Sequence, residues 1–357
     1  MVSTILVTGG LGFIGSHTVV ELVNEGFKVI IVDNLSNSSI ETYKQFSKLC
    51  NHEHIQLFVT SILSDSDMTI IFESNSIDMI IHFAAYKAVS ESIVNPLEYY
   101  KNNVYGTCKM LEYCKKFNIK RFIFSSSATV YGTSISPLYE DSIVGKGITN
   151  PYGQSKYMCE QIIIDFSKVN DTKCVILRYF NPVGAHKTGI IGENPNGVPN
   201  NLMPFLLRVA RKNNIDSQMD NSYQTLRILG NDYNTSDGTC IRDFIHVVDL
   251  ANAHLCACKY NIEPCKKYDI FNIGTGKGTS VYEMVNTFTQ YTNIILPYIF
   301  ADRRQGDLEE VYCNNEKAES ILGWKSKHTL KDIMIDSWNY IIYDYNNKQQ
   351  TKNNSQK

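Results

Sequence analysis

Ser127, Tyr152 and Lys156 are the residues of this chain whose types and spacing could do chemistry together. Tyr152 and Lys156 belong to the run Asn150-Pro151-Tyr152-Gly153-Gln154-Ser155-Lys156. Their spacing puts a phenol and an ammonium on one face of a helix. A phenol at its reference pKa of about 10 is a poor base at neutral pH. A lysine one turn away, joined by a cationic cofactor, favours the phenolate and lowers that pKa. Ser127 ends the polar close of an apolar run, Ser125-Ser126-Ser127, where its hydroxyl can share an alcohol's proton. Together these groups can deprotonate an alcohol while a hydride leaves the same carbon.

The hydride needs an acceptor, and the N-terminus offers a seat for one. The apolar run Ser3 to Thr8 leads into Gly9-Gly10-Leu11-Gly12-Phe13-Ile14-Gly15 and then into a helical pattern from Thr18 to Asn24. Strand, glycine turn and helix are the context that a dinucleotide fingerprint requires. The glycines let backbone N–H groups approach a pyrophosphate, and the helix N-terminus adds its dipole. The next strand, Lys28 to Val32, ends in Asp33-Asn34. A carboxylate there binds both ribose hydroxyls of NAD and repels a 2′-phosphate, which favours NAD over NADP. A tight structural turn and a satisfied core tyrosine would explain each group singly, but not their co-occurrence.

The elements that must position these groups alternate along the first half. Thr4–Thr8, Lys28–Val32, Ile55–Val59, Met79–Phe83, Arg121–Ser125 and Cys174–Tyr179 read as strands, short and apolar as buried parallel strands are. Helical stretches separate them, which predicts an α/β fold with a doubly wound parallel (Rossmann) sheet. The glycine turn, Asp33, Ser61, Ala84, Ser127 and Tyr179 all fall at strand carboxyl ends, where ligands of such sheets bind. Beyond Asn181 the texture changes. Gly, Pro and Asn crowd Pro182 to Pro204, and short helices follow at Pro204–Lys212, Val247–Tyr260, Val281–Gln290 and Leu330–Tyr343. The expected division is an NAD-binding domain at 1–180, a smaller mixed α/β substrate lobe at 181–345 and a polar, disordered tail at 346–357. The polar segment Lys212 to Tyr223 reads as a surface loop.

Of the 357 residues, 43% are hydrophobic and 20% charged, and the net charge is −2. This fits a globular protein with a substantial core and gives no reason to expect nucleic acid or an acidic membrane as partner. No secretory signal precedes the first strand, and no apolar stretch is long enough to span a bilayer. The ten cysteines are scattered. Cys256, Cys258 and Cys265 could suggest a metal, but positions i and i+2 of a helix point apart, so no metal site is expected. Reduced thiols without a leader point to the cytosol.

From Ile5 to Trp338 the chain resembles the extended short-chain dehydrogenases, in the branch that epimerises sugar nucleotides. The resemblance rests on Thr8 to His17, Asp33 to Ser38, His82 to Ser92, Pro96 to Asn103, Asn200 to Pro204, Arg242 to Val247 and Arg303 to Asp307. It implies that Gly9, Gly12, Phe13, Ile14, Gly15, Asp33 and Asn34 cradle NAD, with Ile62, Phe83, Ala84, Lys87 and Asn102 beside it. Ser61 stands where the family has an aspartate for the adenine amino group, and a hydroxyl accepts a weaker hydrogen bond than a carboxylate. Lys156 would bind the nicotinamide ribose and tune Tyr152, and Tyr179 would pack near the nicotinamide. Ser127 and Tyr152 would handle the 4-hydroxyl of UDP-glucose or UDP-galactose. Lys87, Phe180, Asn181, Asn201 and Leu202 would line the UDP-sugar, while Arg242, Arg304 and Asp307 would hold its diphosphate and ribose. Two guanidiniums suit phosphate oxygens, and a carboxylate suits ribose hydroxyls.

The reaction so implied is reversible inversion at C4 through a 4-keto sugar, with NAD held throughout. Dehydratases and decarboxylases of nucleotide sugars share the C4 oxidation. They need further acid–base groups, and Ala128-Thr129 after Ser127 supply no carboxylate. A 4-epimerase of UDP-pentose or UDP-glucuronate stays open, as does a catalytically silent NAD-binding scaffold. Val311 occupies the position that faces the sugar's 2-substituent in the family, and its small side chain predicts acceptance of UDP-N-acetylglucosamine. The family also implies a homodimer built on two helices per subunit. Met110, Leu111, Met158, Ile162, Ile163 and Phe166 could form that face or could pack on the sheet, and periodicity does not separate the two.

Overall fold

The computed structural model describes residues 2–46 and 48–355. Six strands of the central sheet are β1 (Thr4–Thr8), β2 (Lys28–Asp33), β3 (Ile55–Val59), β4 (Met79–His82), β5 (Arg121–Ser127) and β6 (Lys173–Tyr179). The seventh, Tyr268–Ile273, comes from the second half of the chain and pairs in parallel with β6. Across the sheet the order is Tyr268–Ile273, β6, β5, β4, β1, β2, β3, all parallel, with the reversal of winding at β1. A division at residue 180 therefore cuts across the sheet, whose outer strand is borrowed from beyond it.

Alternation along β1 shows how the layers arise. Ile5 and Val7 face a core formed with Val19, Val20 and Leu22 of the helix Phe13–Asn24 and Leu250 and Ala253 of the helix Val247–Lys259. Leu6 faces the other layer, with Met68, Ile71, Met110 and Ile163. Successive strand side chains point to opposite faces, so a run that is apolar throughout needs helices on both. A third core, with Leu206, Val209, Met284, Phe288 and Met334, lies under the substrate lobe. Met110, Leu111 and Ile163 are all buried against the sheet within one chain, so packing on the sheet is their role. Met158 is 37% exposed and stays available to a partner.

Three of the differences in extent from expectation have a physical reason that the fold supplies. β5 continues two residues past Ser125, because Ser126 and Ser127 still pair with Arg178 and Tyr179. The helix Leu330–Ser355 carries helical backbone through Asn346 and beyond, where composition alone predicted disorder. A polar segment can extend a helix that is already nucleated by packing, since propagation is far cheaper than initiation. Residues 356 and 357 lie outside the described residues. The segment expected as a loop at 212–223 begins as the last turn of the helix Leu202–Asn214 and ends on Tyr223, buried under Arg208, whose guanidinium donates to its hydroxyl at 2.7 Å. Among the described residues, no helix is long and apolar enough to cross a membrane.

Candidate active site

The glycine turn follows β1 and is pressed against its neighbours. Gly9 has φ +71°, and a Cβ there would lie 2.8 Å from the backbone N of Ala84. A Cβ on Gly15 would lie 2.2 Å from the Gly9 carbonyl oxygen. Any side chain at either point would push the helix off the turn. Gly12 caps the helix Phe13–Asn24 without a side-chain bond, and no acidic residue occupies the first turn. The N–H groups at this end thus stay open to an anion. Asp33, nearly buried at the end of β2, accepts from Leu11 N at 2.9 Å, Leu35 N at 2.9 Å and Ser38 Oγ at 2.7 Å. It ties the glycine turn to the ribose side of the cradle. An open helix end, glycines that admit no Cβ and a carboxylate at the second strand fit a dinucleotide. Ser61 lies two residues beyond β3 and accepts from Leu63 N at 3.2 Å.

Ser127 is the last residue of β5. Its Oγ accepts from Thr129 N at 3.2 Å and from Thr129 Oγ1 at 3.0 Å. Both lone pairs are engaged, so its own proton is free to be donated. Tyr152 lies in the first turn of the helix Pro151–Val169, capped by Asn150 Oδ1, which accepts from Gly153 N at 2.9 Å. Burial pushes the Tyr152 phenol up, while the Ser127 hydroxyl and then the Lys87 ammonium pull it down. The Nζ of Lys156 donates to the Ser125 carbonyl at 2.5 Å and sits 4.8 Å from the Phe124 ring centroid. Burial brings the Lys156 ammonium down to about 8. Lys156 lies one turn along the same helix from Tyr152, with its ammonium at the carboxyl end of β5.

Lys87 follows β4, where Phe83 N donates to Thr8 O at 3.0 Å and Ala84 N to Thr8 Oγ1 at 3.3 Å. Its Nζ lies 2.9 Å from Glu193 Oε1, a residue the sequence reading did not single out. Asn102 and Asn103 sit in a π-helical turn, Tyr100–Tyr105, within the long helix that runs from Pro96 to Lys116. Such turns often sit at functional sites. Asn102 donates to Asn103 Oδ1 at 3.0 Å, and Asn103 bonds Tyr86 N at 2.8 Å and Ser155 Oγ at 3.1 Å. Asn103 therefore braces the loop of Lys87 against the helix of Tyr152. The sequence offered only an Asn-Asn pair as a signal for it. Tyr179 is buried with its hydroxyl on His254 Nε2, and burial holds its phenol well above the usual range.

The other end of the site is built from the substrate lobe. Arg304 makes a forked contact to Asp307, at 3.1 and 2.6 Å, and Arg242 Nη2 lies 3.6 Å from the same carboxylate. Asp307 thus holds two guanidiniums side by side. Val311 pairs in parallel with Arg242 and packs, half-buried, on a cluster with Phe180, Cys313 and Tyr131, as does Ala128 beside Ser127. The structure so links Ser127 to the arginine pair through packed side chains. Asn181 N donates to Asp243 O at 2.9 Å beside Arg242. Asn201 and Leu202 open the helix Leu202–Asn214, Asn201 exposed and Leu202 against the lobe's core.

The model of the NAD dependent epimerase/dehydratase family matches residues 5–274, and the chain belongs to that family. It is 45% identical to the UDP-glucose 4-epimerase of Bacillus subtilis over 338 residues, covering 94% of this chain and 96% of that one. It is 46% identical to the UDP-glucose 4-epimerase of Yersinia enterocolitica over 339 residues, covering 94% and 97%. The crystal structure of UDP-glucose 4-epimerase from Bifidobacterium longum in complex with NAD+ and UDP aligns with a TM-score of 0.89 at 41% identity, covering 96% of this chain and 99% of that one.

Proposed function

We propose that the chain is an NAD-dependent isomerase that interconverts UDP-glucose and UDP-galactose by inverting C4. The observation that carries the reading is a cradle shaped for a dinucleotide next to the carboxyl end of β5, where Ser127 ends the strand and Lys156, one turn from Tyr152, bonds the Ser125 carbonyl. The glycine turn and Asp33 would hold NAD, which would supply the hydride acceptor for C4. Tyr152 takes the 4-hydroxyl proton, and Ser127, with its lone pairs occupied by Thr129, donates to the oxygen that carries the charge. Lys156, whose ammonium is buried at the Ser125 carbonyl, would bind the nicotinamide ribose and favour the phenolate, and Lys87 would add a second positive charge near the cofactor. Arg242 and Arg304 hold the diphosphate and Asp307 the uridine ribose, so the hexose turns about a fixed linkage. The same proton-transfer pair serves both directions. The absence of a carboxylate at Ala128 and Thr129 speaks against elimination.

In this reading the sheet and its helices serve NAD. The loops and lobe between 181 and 345 serve the UDP-sugar, with Tyr268–Ile273 returned to the sheet. Purified protein given UDP-galactose should form UDP-glucose until equilibrium without added reductant, and failure to do so would refute the assignment. Val311 leaves room at the sugar's 2-position, so UDP-N-acetylglucosamine should be turned over as well. Val311→Tyr should reduce that activity by at least about tenfold relative to UDP-glucose, because overfilling a packed site rejects the larger substrate. An acetamido sugar inert with the unaltered protein would end this part.

The reading includes a cytosolic homodimer. Ile93, Val94, Leu97, Tyr105 and Met158 are exposed apolar groups, 60%, 77%, 78%, 51% and 37% respectively, on helices that pack against one another. Only Met158 belonged to the face expected from sequence. Leu97→Glu should give a monomer by sedimentation equilibrium, and an unchanged mass would reject this face as the interface.

A further inference from the structure

Thr8 and His82 end β1 and β4 side by side, paired in parallel register. Thr8 stands two residues after Leu6, so it points to the same layer as Met110 and Ile163. Amid that apolar packing lie Thr8, His82, Asn103, Thr107, Ser155 and Cys159, none more than 2% exposed. They form one unbroken chain of contacts. Ala84 N donates to Thr8 Oγ1 at 3.3 Å, and Thr8 Oγ1 lies 2.8 Å from His82 Nδ1. His82 Nε2 lies 3.2 Å from Thr107 Oγ1, which donates to the Asn103 carbonyl at 2.7 Å. The Asn103 side chain donates to Ser155 Oγ at 3.1 Å, and Ser155 Oγ donates to the Tyr152 carbonyl at 2.7 Å. The Cys159 thiol, one turn further along that helix, reaches Thr107 Oγ1 at 3.4 Å.

The proton order is fixed from one end. Thr107 spends its one proton on the Asn103 carbonyl, so its oxygen can only accept from His82. His82 must then carry its proton on Nε2, and its Nδ1 accepts from the Thr8 hydroxyl. The reverse tautomer would set two lone pairs against each other at Nε2. A charged imidazole is disfavoured too: burial brings it down to about 3, and Lys156 adds to the shift. We propose that His82 is a positioning residue: as the Nε2–H tautomer it ties the glycine turn, through Thr8, to the helix of Tyr152, through Thr107, Asn103 and Ser155. It thereby fixes the seat of the hydride acceptor relative to the phenol. The proposal rests on the reading of that turn as the NAD seat and of Tyr152 as the proton acceptor. Gly9 follows Thr8 and lies so close to Ala84 that a Cβ would sit 2.8 Å from Ala84 N, so the turn goes where Thr8 and Ala84 are held. A fully satisfied buried network specifies one arrangement, which an apolar filling of the same space does not. Misplacing reacting groups by about 1 Å costs on the order of 10²-fold in rate.

The first test needs no turnover. Nitrogen-15 resonances of labelled imidazoles, with His82 assigned by its loss in His82→Phe, should show a protonated Nε2 and an accepting Nδ1, unchanged between about pH 5 and 8. The opposite tautomer, or titration within that range, would overturn the proposal. The second test is kinetic. Thr107→Val removes the hydroxyl that anchors His82. It should lower kcat for UDP-glucose, counted per bound nicotinamide, by about tenfold or more, with KM within about twofold. Counting per bound nicotinamide leaves out molecules that have unfolded, so a role in stability alone would not move this kcat. Thr107→Ser keeps the hydroxyl and should return kcat to within about twofold of the unaltered protein. Thr8→Val cuts the same chain on the other side of His82. The double variant Thr8→Val with Thr107→Val should therefore be no slower than the slower single one, whereas independent contacts would multiply their losses. Multiplied losses, an unmoved kcat in Thr107→Val, or a Ser variant as slow as the Val variant would each overturn the proposal. A failed epimerase assignment would show separately, as absent interconversion in the unaltered protein while the His82 tautomer is still read.

Discussion

Tyr152→Phe should lower kcat for UDP-glucose about 10³-fold or more, with bound NAD retained. General acid–base transfer by one side chain contributes roughly 10²–10⁴ in rate. No second group stands ready to replace the phenol: Ser127 has its lone pairs occupied by Thr129, Lys156 is spent on Ser125 O, and Tyr179 is buried on His254. The cradle does not depend on the Tyr152 hydroxyl, since Asp33 and the glycine turn are held by their own backbone bonds. Nicotinamide content measured after acid release should therefore stay the same while interconversion falls. Intact turnover would remove Tyr152 from the mechanism.

Glu160→Ala should be the most destabilising of the single changes near the site. Arg178 donates from Nε and Nη2 to the two Glu160 oxygens, at 3.0 and 2.8 Å, and the side chains are 3% and 0% exposed. Arg178 also reaches the Tyr131 hydroxyl at 2.9 Å and Glu140 O at 3.0 Å, and Tyr131 donates to Asn272 Oδ1 at 2.6 Å. Removing the carboxylate leaves a guanidinium buried and unpaired, which costs about 3–5 kcal/mol. Thermal unfolding should drop by roughly 4–7 °C. Glu160→Met combined with Arg178→Met should be far milder, because no charge is left without a partner. A fall in Tm of less than about 2 °C for Glu160→Ala would refute this account. The network also has a catalytic consequence. Its members Ser126, Glu160 and Arg178 stand beside Ser127, one turn from Lys156, and beside Tyr179. It locks β5, β6 and the helix Pro151–Val169 in the register that the reaction needs.

Much of the fold was legible from hydrophobic runs, because a strand buried on both faces must be apolar throughout. Thr4–Thr8 and Ile55–Val59 match residue for residue, and the other four strands differ by one or two positions. Tyr268–Ile273 escaped because it lies far along the chain, and only pairing with β6 makes it part of the sheet. Ser126 and Ser127 escaped the strand assignment because their polarity hides a backbone ladder that the neighbouring strand supplies.

At the site, the local chemistry was written in the sequence: the glycine turn, Asp33, and the Ser127, Tyr152 and Lys156 set each occupy short runs whose spacing has a mechanical meaning. Four-residue spacing guarantees a shared helix face, but not what the lysine bonds. The tertiary structure alone decided that Lys156 reaches the Ser125 carbonyl at the end of β5, that Glu193 meets Lys87 across 106 positions of chain, and that Asp307 gathers Arg242 and Arg304. Charge–charge effects act through space and weaken with distance, whatever the separation along the chain. They belong to whichever segments the fold brings together, and no local pattern records that.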